Sequence, residues 1–456
     1  MTPRPTGRIW ALCAATVLAT LVIAVPLHSL ISSVVVVLST VACGTVAVME
    51  RRTPRLGLRP IVAAIGLVFV VAVAVPPRAS NDVWSYTMYG RAVSVYHTSP
   101  YKSVPADFSS DPFFKRVSPR WRSRGSVYGP VFVGYAAAGT ALAGDSVTAD
   151  RLFFQLSAAA AAAGILWLIW RRTRSPAALV WIGLHPMLGP VVVNGAHNDI
   201  YIGLAAVVAA LFAVRRNGGV AGFVLGLATL IKITAVLGLA GLVLWAWRQR
   251  LRRVAVSAMA AAALIVTLGY LPFLSGALHV LGGADKTVTP ASLWNPLAAA
   301  LVGHDAGRLV PHPLAPDNTL VLISFAGLAV IAVLAITLGW RAARADRPEP
   351  AMGVSTAAYM VAAEYTFPWY ASWTLPLLVE DRPSPVAWVV WAQAALMIAA
   401  LKLPIHPRAT LPDITLRGLL TYAAPIIMFV AFVGAVIYQF KKSSTAPTQQ
   451  IPPESA

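Results

Sequence analysis

No Asp, Glu, Lys or Arg interrupts Ile9 to Met49, Pro60 to Pro77, Asn318 to Trp340 or Gly418 to Phe440. Apolar runs of this length match the ~20 residues that a helix needs to cross a bilayer core. The chain as a whole is 58% hydrophobic and 12% charged, against roughly 25% charged in a soluble domain. It cannot hide its apolar side chains inside one globule, so most of it faces lipid. A soluble enzyme, a secreted disulfide scaffold and a disordered protein are thereby excluded. The net charge of +19 does not point to nucleic acid. The Arg residues cluster in short patches between apolar runs, where cytoplasmic loops of membrane proteins carry them. Cys13 and Cys43 both lie inside apolar runs, which leaves neither a metal cluster nor a disulfide framework.

The patches thread the chain. With Thr2 to Arg8 inside, spans at Ile9 to Pro26 and Ser29 to Met49 return it to a basic loop holding Arg51, Arg52, Arg55 and Arg59, cytoplasmic by the positive-inside rule. Residues 1–59 thus read as an N-terminal two-span unit, and 60–440 as the main transmembrane domain. The span Pro60 to Pro77 delivers the polar, aromatic segment Arg78 to Tyr128 to the outside, where helices lying on the membrane surface are expected. Gly129 to Gly144 is treated as re-entrant, because a full crossing would place Arg171, Arg172 and Arg174 outside. Gly219 to Trp247 then becomes a hairpin of two segments too short for a ~30 Å core, with Lys232 at its tip. Leu274 to Asp317 reads as a second outer loop. Further spans fall at Thr319 to Trp340, Gly353 to Leu378 (broken by Pro368), Pro385 to Leu401 and Gly418 to Phe440. The expected architecture is an all-α polytopic membrane protein of twelve to fourteen spans. The tail 441–456 is expected to be a disordered cytoplasmic extension.

Four constellations interrupt the apolar text. Asp82, in Asn81-Asp82-Val83-Trp84-Ser85-Tyr86, is an acid held among rings at the membrane surface, a costly placement that invites a functional reading. A plain N-cap of a helix from Val83 would also explain it. Tyr86, Tyr89 and Arg91 follow on the same helix. Asn194-Gly195-Ala196-His197-Asn198-Asp199 crowds polar groups at the outer end of a span, as a hydrophilic turn would too. Lys232 lies at membrane depth, where an ammonium costs several kcal/mol unless paired. An anionic partner such as phosphate answers that cost, and snorkelling to the headgroups is the alternative. Glu364-Tyr365-Thr366-Phe367-Pro368-Trp369-Tyr370 combines an isolated acid, a helix breaker and interfacial rings. His185, His197 and Asp199 lack a zincin-type ligand spacing.

In order and spacing, these motifs, together with Ser99-Pro100-Tyr101 and Tyr128-Gly129-Pro130, resemble the GT-C membrane glycosyltransferases. They are similar in particular to the actinobacterial polyprenyl-phosphate-mannose-dependent α-1,6-mannosyltransferases of lipomannan and phosphatidylinositol mannoside synthesis. The likeness covers roughly residues 60 to 400. It implies a plasma-membrane enzyme with an active site open to the extracytoplasmic side. There a mannosyl group would pass from a polyprenyl phosphate to a glycan or glycolipid acceptor among the membrane lipids. Asp82 occupies the place of the family's general base. Many GT-C enzymes carry paired acids at this point, whereas here Asn81 precedes a single acid, so no divalent metal or other cofactor is expected.

The chemistry fits the residues independently. A sugar on a polyprenyl phosphate already has a good leaving group, so the protein must deprotonate the acceptor and stabilise a phosphate gaining charge. Asp82 is assigned the first task, and Lys232 with Arg91 the second. Tyr86, Tyr89, His197, Asn198, Asp199, Glu364, Trp369 and Tyr370 are assigned to substrate, the rings against pyranose faces. One base opposite the leaving phosphate gives inversion, converting a β-linked donor to an α-mannoside. No second carboxylate at a defined spacing suggests retention. A transporter or lipid flippase also needs broken helices and intramembrane charge, but the first outer loop has no counterpart in a second half. A non-catalytic cell-envelope partner would leave Asp82, Lys232 and Glu364 without a shared purpose.

Overall fold

The computed structural model of the protein describes residues 30–54, 56–78, 80–273, 287–302, 317–379, 384–403 and 411–442. The expected span Ile9 to Pro26, much of the second outer loop and the tail from Ser443 lie outside the described residues. The chain order is α1 (Leu30–Arg52), α2 (Leu58–Ala74), α3 (Asp82–Ser94), α4 (Pro130–Ala143), α5 (Val147–Thr173) and α6 (Pro176–Gly183). Next come α7 (Asp199–Val214), α8 (Gly218–Thr229), α9 (Val236–Arg248), α10 (Arg252–Tyr270), α11 (Asn295–Val302) and α12 (Asp317–Ala342). The last are α13 (Glu349–Ala362), α14 (Ala371–Leu378), α15 (Pro385–Lys402), α16 (Leu411–Gly418) and α17 (Ala424–Lys442). Among the described residues there is no strand, as an all-α membrane protein requires.

Among the described residues, six helices are long and apolar enough to cross a membrane, and a seventh span arises if α6 and the π turn Met187–Val193, bent by 44°, count as one. Shorter apolar helices are α2, α4, α7, α8 and the segment Ile233–Arg248. Counting the bent pair once and adding the five shorter segments brings the described residues to twelve apolar segments, the lower end of the expected twelve to fourteen. The short hairpin is present as expected. The twelve residues of α8 reach ~18 Å at 1.5 Å per residue, and Lys232 follows in extended backbone, φ −152° and ψ 127°. Gly218, Gly222 and Gly226 form a stripe that lets α8 lie on α10: a Cβ at Gly222 would stand 2.0 Å from the Ala258 carbonyl oxygen. This is the small-residue packing that replaces a hydrophobic drive between helices in lipid.

Three of the basic patches gather at one end of the molecule. Arg172 pairs with Glu349 at 3.3 Å, Arg347 meets the same carboxylate at 2.7 Å, and Gln249 donates to the Ala343 and Ala345 carbonyls at 3.0 and 2.9 Å.

The broken span near Pro368 shows how a membrane protein tolerates a helix break. Carbonyls freed after α13 are taken up by a neighbouring segment: Trp294 Nε1 donates to Ala362 O at 2.7 Å, Ser292 Oγ to Ala363 O at 2.8 Å, and Thr289 N to Glu364 O at 2.9 Å.

The expected surface-lying helix of the first outer loop is corrected. Val83 through Ala92 of α3 are all buried, because the loop's rings pack on the protein rather than on headgroups. Tyr86 meets Tyr128, Phe132 and Phe154 at centroid distances of 5.1, 4.8 and 6.0 Å. The loop therefore folds down as an aromatic layer over the helices around Tyr128, Phe132 and Phe154 and carries Asp82 with it.

Candidate active site

Asp82 is the first residue of α3, and its backbone N–H donates to Ser80 Oγ at 3.0 Å. The cap position belongs to Asn81. The Asp82 carboxylate faces away from a capping role, toward His197 Nδ1 at 3.5 Å. Burial raises its pKa from 3.8 to about 6, against the lowering effects of the Ser80 hydrogen bond and the charges of Lys232 and Arg120. Its side chain is still 23% exposed, which leaves the carboxylate open to an incoming hydroxyl.

The backbone before Asp82 is tied to the second constellation. Asn194 Nδ2 donates to the carbonyls of Ala72, Val75 and Pro76 at 2.9, 3.0 and 3.2 Å, and its Oδ1 accepts from Arg78 N at 2.9 Å. Gln155 Nε2 reaches the Ala72 and Asn194 carbonyls at 3.2 and 2.9 Å. These amides satisfy the orphan carbonyls at the end of α2 and fix where the chain enters α3. Ala196, in the left-handed region at φ 51°, then turns the chain so that His197 comes under Asp82.

His197 is fully buried. Its ring stacks on Trp369 at 3.9 Å and 12°, and Trp369 stacks on Phe367 at 4.3 Å and 6°. Two rings so close and so nearly parallel to Trp369 cannot share one of its faces, so Trp369 is sandwiched. It has no face left for a pyranose, which corrects the expectation that it holds sugar by stacking. Burial, reinforced by Lys232, pushes the imidazole well below its ordinary pKa. His197 is therefore neutral, and its contact with Asp82 is polar rather than an ion pair.

Lys232 Nζ binds Asp199 Oδ1 at 3.0 Å and sits 4.1 Å from the Tyr370 ring centroid. That cation–π contact occupies a face of Tyr370, which is itself only 2% exposed. The hairpin tip is held by the start of α4, where Gly129 N donates to Ile231 O at 2.9 Å and Val131 N to Leu230 O at 3.1 Å. Glycine at 129 follows from this approach, since a Cβ there would lie 2.2 Å from the Leu230 carbonyl oxygen. Beside Asp199, the amide of Asn198 is fully buried, and both its Oδ1 and Nδ2 lack a hydrogen-bond partner among the described residues. An unsatisfied buried amide is costly, and here it presents a donor and an acceptor together.

Four segments thus converge: Asp82, the turn 197–199, Lys232 and the rings 369–370. Tyr86 and Tyr89 belong to the same neighbourhood, as the Asp82 charge acts on both phenols, and Tyr89 OH donates to Arg124 O at 3.2 Å. Two expected members lie elsewhere. Arg91 is held by Asp111 at 2.7 Å, Asp145 at 2.8 Å and the Gly144 carbonyl at 3.0 Å. It clamps the end of α3 to the loop after α4, with Nε, Nη1 and Nη2 all engaged there. The Glu364 carboxylate lies against α12, hydrogen-bonded to Ser324, where a Cβ on Gly327 would come within 2.7 Å of it. Arg120, Arg124 and Tyr365 are neighbours that the motif reading passed over. The signal was available: Lys115, Arg116, Arg120, Arg122 and Arg124 crowd a loop threaded to the outside, against the positive-inside trend. Among the described residues, no group of three His, Cys, Asp or Glu side chains is placed to hold a metal ion.

Comparison with known proteins finds a family model, described as alpha-(1→6)-mannopyranosyltransferase, N-terminal domain, that matches residues 4–249. That stretch includes Asp82, His197, Asp199 and Lys232. The chain is similar to alpha-(1→6)-mannopyranosyltransferase A of Mycobacterium tuberculosis, 30% identical over 322 residues, or 66% of this chain and 61% of that protein. It is also similar to the Corynebacterium glutamicum protein of the same name, 24% identical over 392 residues, or 77% and 78% of the two chains. The chain therefore spans about 61% of the length of the mycobacterial relative.

Proposed function

Because the chain belongs to the alpha-(1→6)-mannopyranosyltransferase family, whose model covers more than half of it, we propose that it is a membrane mannosyltransferase. It takes mannose from polyprenyl-phosphate mannose and passes it to a glycan or glycolipid acceptor on the extracytoplasmic face of the plasma membrane. The product is an α-(1→6) linkage, formed with inversion. The observation that carries this reading is the convergence of a partly exposed acid with a paired lysine from a distant hairpin, Asp82 beside His197 and Lys232–Asp199.

In the proposed step, Asp82 accepts the proton of the acceptor hydroxyl while the acceptor oxygen attacks C1 of mannose from the face opposite the phosphate. A carboxylate with a pKa of about 6 is a better base than an ordinary one and is still ionised at neutral pH. Lys232 meets the phosphate as charge builds on it, exchanging part of its attachment to Asp199 for the stronger anion. Asn198 offers its unpartnered amide to sugar hydroxyls. His197, held rigid in its ring stack, presents Nδ1 to Asp82 and leaves the other carboxylate oxygen for the proton.

The test is incubation of the purified protein with radiolabelled polyprenyl-phosphate mannose and a panel of membrane glycan and glycolipid acceptors, with the product linkage determined. Transfer to give an α-(1→6)-mannoside is the expected result. A protein that moves label across a vesicle membrane without forming any glycosidic bond would overturn the reading.

A further inference from the structure

Helix α2 is seated tightly on one neighbour and stands off another. Toward α6 and the π turn that follows it, α2 lies against two glycines: a Cβ at Gly183 would stand 2.4 Å from Ile65 Cδ1, and one at Gly189 2.3 Å from Val68 Cγ1. Toward α5 a groove of about 300 Å³ opens, with Leu58, Gly66 and Phe69 of α2 and Ala163, Trp167 and Trp170 of α5 in its lining. A Cβ at Gly66 would meet nothing within 4 Å. Unfilled space of this kind forfeits dispersion contacts along its lining.

The mouth of the groove carries charge. Arg171 lies over Trp167, with Cζ 5.0 Å from the ring centroid, and Arg174 over Trp170 at 5.9 Å. Both arginines are exposed, as is Arg59, which follows Leu58 at the same end. A cation–π contact takes up a face of the guanidinium and leaves its in-plane N–H fork for an anion.

We infer that this groove holds one acyl chain of an anionic phospholipid from the leaflet at the basic end of the molecule, with the headgroup phosphate on Arg171 and Arg174. Length and charge select that occupant. From Leu58 to Phe69, α2 rises ~16 Å at 1.5 Å per residue, which is one leaflet's share of a ~30 Å hydrocarbon core. The tail of a polyprenyl phosphate bound near Asp82 would need a path toward the other end of α2, and the lining stops at Phe69. A zwitterionic headgroup brings its own cation to the arginines, whereas an anionic one brings net negative charge. The bound chain braces α2 against α5, and α2 leads into the segment that carries Asp82.

The experiment takes the delipidated full-length protein in detergent and titrates it with dioleoylphosphatidylglycerol or with dioleoylphosphatidylcholine, read by native mass spectrometry and thermal melting. The wild type should retain phosphatidylglycerol in preference to phosphatidylcholine and melt higher with it. Arg171→Gln with Arg174→Gln should cut that preference about fivefold for each arginine, the loss expected of one basic residue at an anionic lipid surface. Gly66→Leu removes a helix-interior glycine where a Cβ meets no neighbour, so it should fold, and it should lose the tightly held lipid of either kind. A wild type without the preference, or a preference that survives Gly66→Leu or the double arginine variant unchanged, would overturn the inference. Displacement of phosphatidylglycerol by polyprenyl phosphate at matched concentration would overturn it too, by giving the groove to the tail of that lipid. So would a dimer present in the wild type and lost in Gly66→Leu, which would give the groove to a second copy.

Discussion

The Asp82 carboxylate and Nδ1 of His197 stand 3.5 Å apart, although Asp82 opens a loop helix and His197 sits in a turn between two spans. The imidazole cannot swing away, because its ring is stacked on Trp369 and fully buried. A fixed neutral ring beside a partly exposed acid orients that acid without quenching its charge.

Replacing Asp82 with Asn should remove most transfer, by on the order of 10² to 10⁴ in rate, the usual contribution of a general base. In the wild type, kcat/KM should fall as the pH drops below about 6, the pKa to which burial raises this carboxyl. Stability moves the other way. A raised folded pKa means that folding favours the protonated form, so this group's contribution is full below 3.8 and lost as the pH rises through about 6. Asp82→Asn should therefore melt higher than wild type at pH 8, by an amount on the order of 1–3 kcal/mol, and no higher at pH 4. Thermal melts at the two pH values, beside a pH–rate profile, check both halves.

Lys232→Met strands the Asp199 carboxylate, which is 1% exposed. Breaking a buried pair costs about 3–5 kcal/mol, so the variant should lose both stability and donor use. The double variant Lys232→Met with Asp199→Asn should regain most of the stability and none of the donor affinity. Recovery of both by the double variant would assign Lys232 to structure alone.

Arg91→Gln tests the reassignment of that residue. Asp111 is 5% exposed and keeps Tyr96 OH at 2.8 Å and Phe113 N at 2.9 Å, so the loss should sit near the lower end for a broken buried pair, about 3 kcal/mol. The donor KM of the surviving folded protein should stay within about twofold of wild type, far less than the tenfold that 1.4 kcal/mol of lost binding would produce. A large, selective rise in donor KM would return Arg91 to the phosphate site.

Gly129→Ala alters no charge and touches no substrate, yet its methyl would collide with the Leu230 backbone two residues before Lys232. Overpacking of this kind costs about 1–3 kcal/mol. Transfer should fall as the tip shifts, with donor use affected more than acceptor use. Steady-state kinetics of Gly129→Ala beside Gly134→Ala, where a Cβ meets nothing within 4 Å, separates the local collision from a general helix effect.

Much of this protein is legible in its residue order, because lipid imposes local rules. Charge-free runs have to become helices whose backbone groups are satisfied within the segment. The interruptions at Asp82, His197 to Asp199, Lys232 and Pro368 mark where that rule is suspended, so both the spans and four of the site's segments can be named from sequence. Partner choice is not local. Arg91 looked like a phosphate ligand because it lies on the Asp82 helix, but the fold brings Asp111 and Asp145 to it and uses it as a clamp. Trp369 looked like a sugar platform, but its two faces are filled by His197, 172 positions before it, and Phe367, two before it. Glu364 and its neighbour Tyr365 part company in space, one lying against α12 and the other under Arg120. Hydropathy and spacing report the solvent each segment meets, whereas the reach of a side chain is set by contacts between residues far apart in sequence. The tertiary structure alone decided which cation faces the acid and which ring face stays open.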